Sequence, residues 1–103
     1  MQSLWLNPMF LEWVRTGRKR STVRIGKKIF DLGPLKLKSQ DEKIEVTVTD
    51  VSHKKFKNLS VGDTMKDGFD DLDGFKKILK QIYPELKEGS DLTVIKFEYS
   101  APT

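Results

Sequence analysis

Gly17-Arg18-Lys19-Arg20-Ser21-Thr22-Val23-Arg24 separates two stretches of different periodicity, and its reading sets the fold. Upstream, Asn7 suits an N-cap, Pro8 the first helical position and Gly17 the left-handed residue after the last turn, so a helix is expected from about Pro8 to Thr16. Phe10, Leu11 and Val14 fall at helical spacing and would face the core, while Trp13 suits a rim or a ligand contact. Downstream, Ser21 to Ile25 reads as a short strand. The chain therefore turns from helix to strand at the glycine. Four cations and two hydroxyls are displayed on a bend, an arrangement suited to an anion.

Working outward, Gly26-Lys27-Lys28 reads as a turn, Ile29 to Leu32 as an extended piece, and Gly33-Pro34 as its break. Lys43 to Thr49 alternates, placing Ile44, Val46 and Val48 on one face. Val51 to Leu59 reads as a polar connection anchored by Phe56 and Leu59, and Val61-Gly62-Asp63 as a turn. Asp70 or Asp71 can cap a second helix with Leu72, Phe75, Ile78, Leu79 and Ile82 on one side and Lys76, Lys77 and Lys80 on the other, ended by Pro84. Leu92 to Tyr99 is a closing strand. Strands with two separated helices, without regular βαβ alternation, predict an α+β domain on a small curved sheet or barrel.

A length of 103 residues predicts one domain over 1–103. No apolar run approaches the ~20 residues of a membrane helix, and Met1 to Leu6 lacks the basic flank and apolar core of a secretory signal. A cytoplasmic protein with no membrane partner is expected. The chain has no cysteine and one histidine, His53, which excludes a disulfide framework, a thiol nucleophile and structural zinc. Asp67, Asp70, Asp71 and Asp73 fail the spacing of a calcium loop and are better read as helix-capping acids. No metal or cofactor is expected. His53 reads as a polar residue at a strand end.

Charge is unevenly distributed. Arg15 to Lys57 holds 13 Lys and Arg against 5 acids, so this half carries +8 and the remainder −4. A basic half points to a polyanion, with nucleic acid ahead of a membrane surface. Lys54-Lys55-Phe56-Lys57-Asn58 has the form of a basic patch with an interleaved aromatic, although its phenylalanine is better read as a core anchor under a polar loop, with the lysines at most extending the basic surface. Trp5, Trp13 and Tyr83 could each stack a base or fill the core.

The order of features carries a resemblance. A short helix is followed by Gly17, Lys19, Thr22 and Arg24 as G-x-K-x-x-T-x-R, then strands, then Asp67-Gly68-Phe69 before a helix ending Ile82-Tyr83-Pro84, then Val94-Ile95-Lys96-Phe97-Glu98. Over nearly the whole chain this resembles the ASCH domain of the PUA-like superfamily. The resemblance implies a small PUA-like β-barrel flanked by two or three helices, a cleft lined by the motif, and RNA or a nucleoside or nucleotide as partner. One branch, similar to small bacterial N4-acetylcytidine amidohydrolases, uses a lysine and a threonine of this motif with a downstream glutamate. The lysine falls on Lys19 and the threonine on Thr22. The acid is best matched by Asp67, whose side chain is shorter than glutamate by roughly 1.5 Å.

The residues themselves allow two chemistries. Lys19, crowded by Arg18, Arg20 and Arg24, is expected to have a lowered pKa, and partial burial would push the same way. It could then take the proton of Thr22, or of Ser21, for attack on an amide, with Asp67 shuttling protons or orienting the lysine. Alternatively Lys19 stays charged, Ser21 and Thr22 bond a phosphate or base edge, and Arg24 pairs with a phosphate or with Asp31 or Asp67. Arg18, Arg20, Lys54 and Lys55 would then supply backbone electrostatics. Binding of RNA or a modified nucleoside ranks first, deacylation of N4-acetylcytidine-like nucleosides through Lys19, Thr22 and Asp67 second, and a ribonuclease in the same cleft third. A monomer or weak dimer is expected.

Overall fold

A computed structural model describes residues 1–101. The elements run β1 (Ser3–Trp5), α1 (Pro8–Arg15), β2 (Ser21–Ile25), β3 (Gly33–Lys38), β4 (Lys43–Lys55), a 3-10 turn (Phe56–Asn58), α2 (Val61–Lys66), α3 (Leu72–Ile82) and β5 (Asp91–Glu98). Asn7 Oδ1 accepts from the Met9 amide at 2.9 Å, Pro8 opens α1, and Gly17 takes φ of +83° after its end. These are the local signals that start and stop that helix. Asp71 caps α3 by accepting from the Gly74 amide at 2.8 Å.

Three expectations are corrected. Val61-Gly62-Asp63 is not a turn but the start of α2. Ser60 Oγ accepts from the Asp63 amide at 3.1 Å and Asp63 Oδ2 accepts from the Ser60 amide at 2.9 Å, a reciprocal box that nucleates a helix of six residues. The connection expected from Val51 is instead the second half of β4. A register shift between Val48 and Asp50 moves the inward side chain from Val48 to Val51, so the alternation changes phase while the strand continues to Lys55. Gly33-Pro34 begins β3 rather than breaking it, and Ile29–Leu32 lies outside the sheet. Pro34 is tolerated because β1 pairs with β3 only from Lys36 onward, leaving the proline without a ladder partner on that side.

The sheet is five-stranded, in the order β1-β3-β4-β5-β2, with β1 parallel to β3 and every other pair antiparallel. It curls into a half-barrel with three α-helices, an α+β architecture. Its two edge strands approach one another: Arg24 on β2 donates through Nη2 to the Trp5 carbonyl at the end of β1, at 2.8 Å. The edges are bridged by a side chain rather than a ladder, which leaves a seam.

Two apolar clusters flank this seam. Leu6, Leu11, Val14, Leu35, Leu37, Val46, Val48, Ile95 and Phe97 pack α1 against β3, β4 and the end of β5. Val23, Phe56, Leu59, Phe75, Leu79, Leu86, Leu92 and Val94 pack α3 against β2 and the start of β5. Phe56 is fully buried, so it is a core anchor and not an exposed stacking platform. The Lys76 and Lys80 ammonium groups lie 5.3 and 5.4 Å from its ring, so these lysines reach back over the core instead of pointing away. No helix among the described residues is long and apolar enough to cross a membrane.

Candidate functional site

The bend after α1 is pinned at three backbone points. The Lys19 amide donates to Trp13 at 3.0 Å, the Arg20 amide to Lys66 at 2.6 Å, and the Arg20 carbonyl accepts from Phe97 at 3.0 Å. Tying the bend to α1, α2 and β5 in this way leaves the Lys19 side chain only 3% exposed. From the other direction, Asp67 closes α2 as its C-cap and is 4% exposed. The Lys19 ammonium and the Asp67 carboxylate meet there in a direct ion pair.

The pair lies on the wall of a cavity of about 360 Å³ at the seam between the two edges of the sheet. That volume is within the ~300–1,000 Å³ of small-molecule sites. Thr22 and Arg24, on one face of β2, line the same cavity, as do Trp5, Asn7 and Phe10 from the β1–α1 side and Phe69, Ile78, Ile82 and Tyr83 from the α3 side. The lining is largely apolar, with the polar groups concentrated on Lys19, Thr22, Arg24, Asp67 and Asn7.

Burial dominates the electrostatics of the pair. It pushes the Lys19 amine below the ordinary lysine range and the Asp67 carboxyl above the ordinary carboxylate range, against their mutual attraction. Arg24 adds to the lowering of Lys19. Desolvation, expected to act alongside the neighbouring arginines, is the largest cause, and Arg18 and Arg20 are not among the causes. Both members are thereby biased toward their uncharged forms, an amine able to accept a proton beside an acid able to donate one.

No protein-family model and no curated protein matches this sequence. Solved structures do. The chain superposes on the ASCH domain of Lactobacillus crispatus JV V101 with a TM-score of 0.69 and 15% identity, covering 87% of this chain and 69% of that one. A mutant form of ZmASCH from Zymomonas mobilis gives 0.68 at 13% identity, over 97% of this chain and 70% of that one. The fold is that of an ASCH domain. A protein of Enterococcus faecalis V583 shares it at a TM-score of 0.83 and 15% identity, with 97% of this chain and 76% of that one covered.

Within this ASCH fold the expected site residues separate into two groups. Lys19, Thr22, Arg24 and Asp67 are brought together, although Lys19 and Asp67 are 48 residues apart. Ser21 is not; it is fully buried, it does not line the cavity, and its Oγ has no hydrogen-bond partner among the described residues. Alternation along β2 sets it on the face opposite Thr22. Arg18 donates through Nε to the Gly68 carbonyl at 2.7 Å with its guanidinium 3.7 Å over the Trp13 ring, and Arg20 is exposed on a separate groove beside Phe97 and Tyr99.

Lys54 and Lys55 sit on β4, paired with Asp63 at 2.5 Å and Asp91 at 2.7 Å, outside the cavity. Arg24 makes no ion pair with Asp31 or Asp67 among the described residues; its Nη2 bridges to Trp5 and its buried Nε has no partner. His53 Nε2 lies 2.9 Å from the Lys28 carbonyl.

Sequence reasoning missed Asn7, Phe10, Phe69, Ile78 and Ile82 as cavity residues. Asn7 was legible only as a cap, Phe69 only as part of the Asp67-Gly68-Phe69 pattern, and the others only as core periodicity. Their apolar character was visible, but which apolar residues border a void depends on how the two edges of the sheet approach.

Proposed function

We propose that the seam cavity takes an N-acylated nucleoside of the cytidine class and hydrolyses its amide, with Lys19, Thr22 and Asp67 as catalytic residues. One observation carries this reading: a lysine and an aspartate, both nearly fully buried, are paired on the wall of a nucleoside-sized cavity that a threonine hydroxyl also lines. A pair so desolvated is costly for stability alone. Its bias toward amine and acid is what proton transfer near neutral pH requires.

The reaction balances through these groups. Neutral Lys19 takes the Thr22 hydroxyl proton as the threonine oxygen attacks the amide carbonyl, and the tetrahedral adduct collapses with cleavage of the C–N bond. The leaving amine takes a proton from the Lys19–Asp67 pair, and water then cleaves the threonyl ester to release the carboxylic acid and restore the hydroxyl. Arg24, fixed by its bond to Trp5, supplies positive charge beside the developing oxyanion. Incubation with N4-acetylcytidine, followed by chromatography for cytidine, tests the reading; absence of cytidine under conditions where a bacterial amidohydrolase of this kind works sinks it.

A second reading, RNA binding without chemistry, is favoured by a different observation. Trp5 is 55% exposed at the cavity mouth, and the sheet register continues its row through Lys38 to Lys43 on the outward face. Two lysines directly opposed across strands repel, and a phosphate chain beside a stacking tryptophan relieves that repulsion. In this case affinity for single-stranded RNA falls steeply with salt and with Trp5→Ala, and Lys19→Ala leaves it unchanged.

A further inference from the structure

We infer that Arg18 is a positioning residue, holding the Asp67 carboxylate against Lys19 by clamping the turn at Gly68. The inference rests on the amide-hydrolysis reading above and assigns Arg18 a task other than contact with a phosphate.

Three sets of contacts converge on this turn. Arg18 Nε donates to the Gly68 carbonyl at 2.7 Å, and the same guanidinium lies 3.7 Å from the centre of the Trp13 ring. Gly68 adopts φ of +100°, and a Cβ there would come within 2.8 Å of Trp13 Cε3 and 3.4 Å of Arg18 Cγ, so the turn is pressed against both side chains. Phe69 sets its ring edge-on to Trp13 at 5.3 Å and stacks on Phe75 at 4.9 Å. The amides of Gly68 and Phe69 bond back to Met65 and Thr64, each at 3.0 Å. The residues that follow Asp67 are therefore held by hydrogen bond, cation–π contact and ring packing at once.

Such restraint has a chemical purpose because the acid is an aspartate. A short side chain reaches Lys19 only if its backbone is brought close, and the Lys19 amine lies 3.5 Å from the Asp67 carbonyl itself. A catalytic contact loses about 10²-fold for a displacement of ~1 Å. Arg18 precedes Lys19 in the chain, so one bend delivers both the base and the clamp on its acid. Arg18 does not line the cavity, so it acts through Asp67 and not on the ligand.

The test uses Arg18→Ala and Arg18→Lys in the full chain, with exposed Lys87→Ala as control, N4-acetylcytidine as substrate, and the Lys19 amine followed by nitrogen-15 NMR titration. Removing the clamp lets Asp67 recede while Lys19 stays buried. Both Arg18 variants then lose roughly 10- to 100-fold in kcat with KM within about twofold, and the Lys19 midpoint falls below that of the wild type. Lysine keeps the charge but lacks the planar fork that stacks and donates together, so it does not rescue. Full rescue by lysine, a rise in KM with kcat unchanged, or an unmoved or raised Lys19 midpoint overturns the inference. If the wild type turns over no substrate while the Lys19 midpoint falls in both variants, the hydrolase reading fails and the clamp stands. Should Arg18→Ala fail to fold, Arg18→Lys alone decides.

Discussion

Two lysine–aspartate pairs meet at α2, four residues apart, and they have opposite electrostatic outcomes. Asp63 pairs with Lys54 and Asp67 with Lys19. Burial pushes the Asp63 carboxyl up, but hydrogen bonds from Lys54 and from the Ser60 amide and hydroxyl outweigh it and hold the group below the ordinary carboxylate range. Asp67 is buried more deeply and, among the described residues, has only the Lys19 amine as side-chain donor, so its carboxyl ends above that range. Donor count and depth, not residue type, decide which carboxylate is a structural anion and which is poised to exchange a proton.

The comparison is broken most directly at its lysines. Lys19→Ala is expected to lower N4-acetylcytidine turnover by about 10²- to 10⁴-fold, measured as kcat/KM on a folded variant. A loss no greater than that of Lys54→Ala would erase the distinction between the pairs.

The wild-type pH–rate profile comes next. Turnover requires the neutral amine, so it rises as pH increases through the lowered Lys19 pKa, with its limb below the ordinary lysine value of 10.5. A limb at or above that value would contradict the desolvated pair.

The aspartates sharpen the contrast through stability. The folded pKa of Asp63 lies below its unfolded value, so its contribution is present above the unfolded pKa near 3.8 and is lost as pH falls through the folded one. That of Asp67 lies above its unfolded value; its favourable contribution is present below the unfolded pKa and is lost as pH rises through the folded one. Urea melts of Asp63→Asn and Asp67→Asn from acid to neutral pH should therefore diverge. Relative to wild type, Asp63→Asn becomes less stable as pH rises, and Asp67→Asn more stable. Parallel curves would refute the assignment.

Smaller effects follow. Asp63→Ala dismantles the reciprocal box of α2 and costs about 1–2 kcal/mol by thermal or urea unfolding. Lys54→Ala removes a partly exposed partner and costs no more than ~1 kcal/mol.

Much of this was legible along the chain because the signals are local. Asn7, Pro8 and Gly17 bracket α1 within one helical turn at each end, and the alternation from Ser21 to Ile25 puts Thr22 and Arg24 on one face whatever the fold. Elsewhere the local signal misled. The bulge after Val48 shifted the phase of β4, so periodicity read a continuing strand as a loop. The Ser60 to Asp63 box was present as Ser-x-x-Asp, but six residues offer too little period to show a helix. At the bend, the motif resemblance set Lys19 and Arg24 apart from Arg18 and Arg20; packing then assigned Arg18 to Trp13 and Gly68, Arg20 to another groove, and Lys19 to the interior.

By itself the sequence determined where the chain turns from helix to strand and that Thr22 and Arg24 share a face of β2, since each rests on contacts within a few residues. Only the tertiary structure decided that Asp67 reaches Lys19, that Ser21 lies off the cavity wall, and that a cavity lies between the edges of the sheet. Those depend on desolvation and on closure of β1 toward β2, and both arise only when residues tens of positions apart pack against one another.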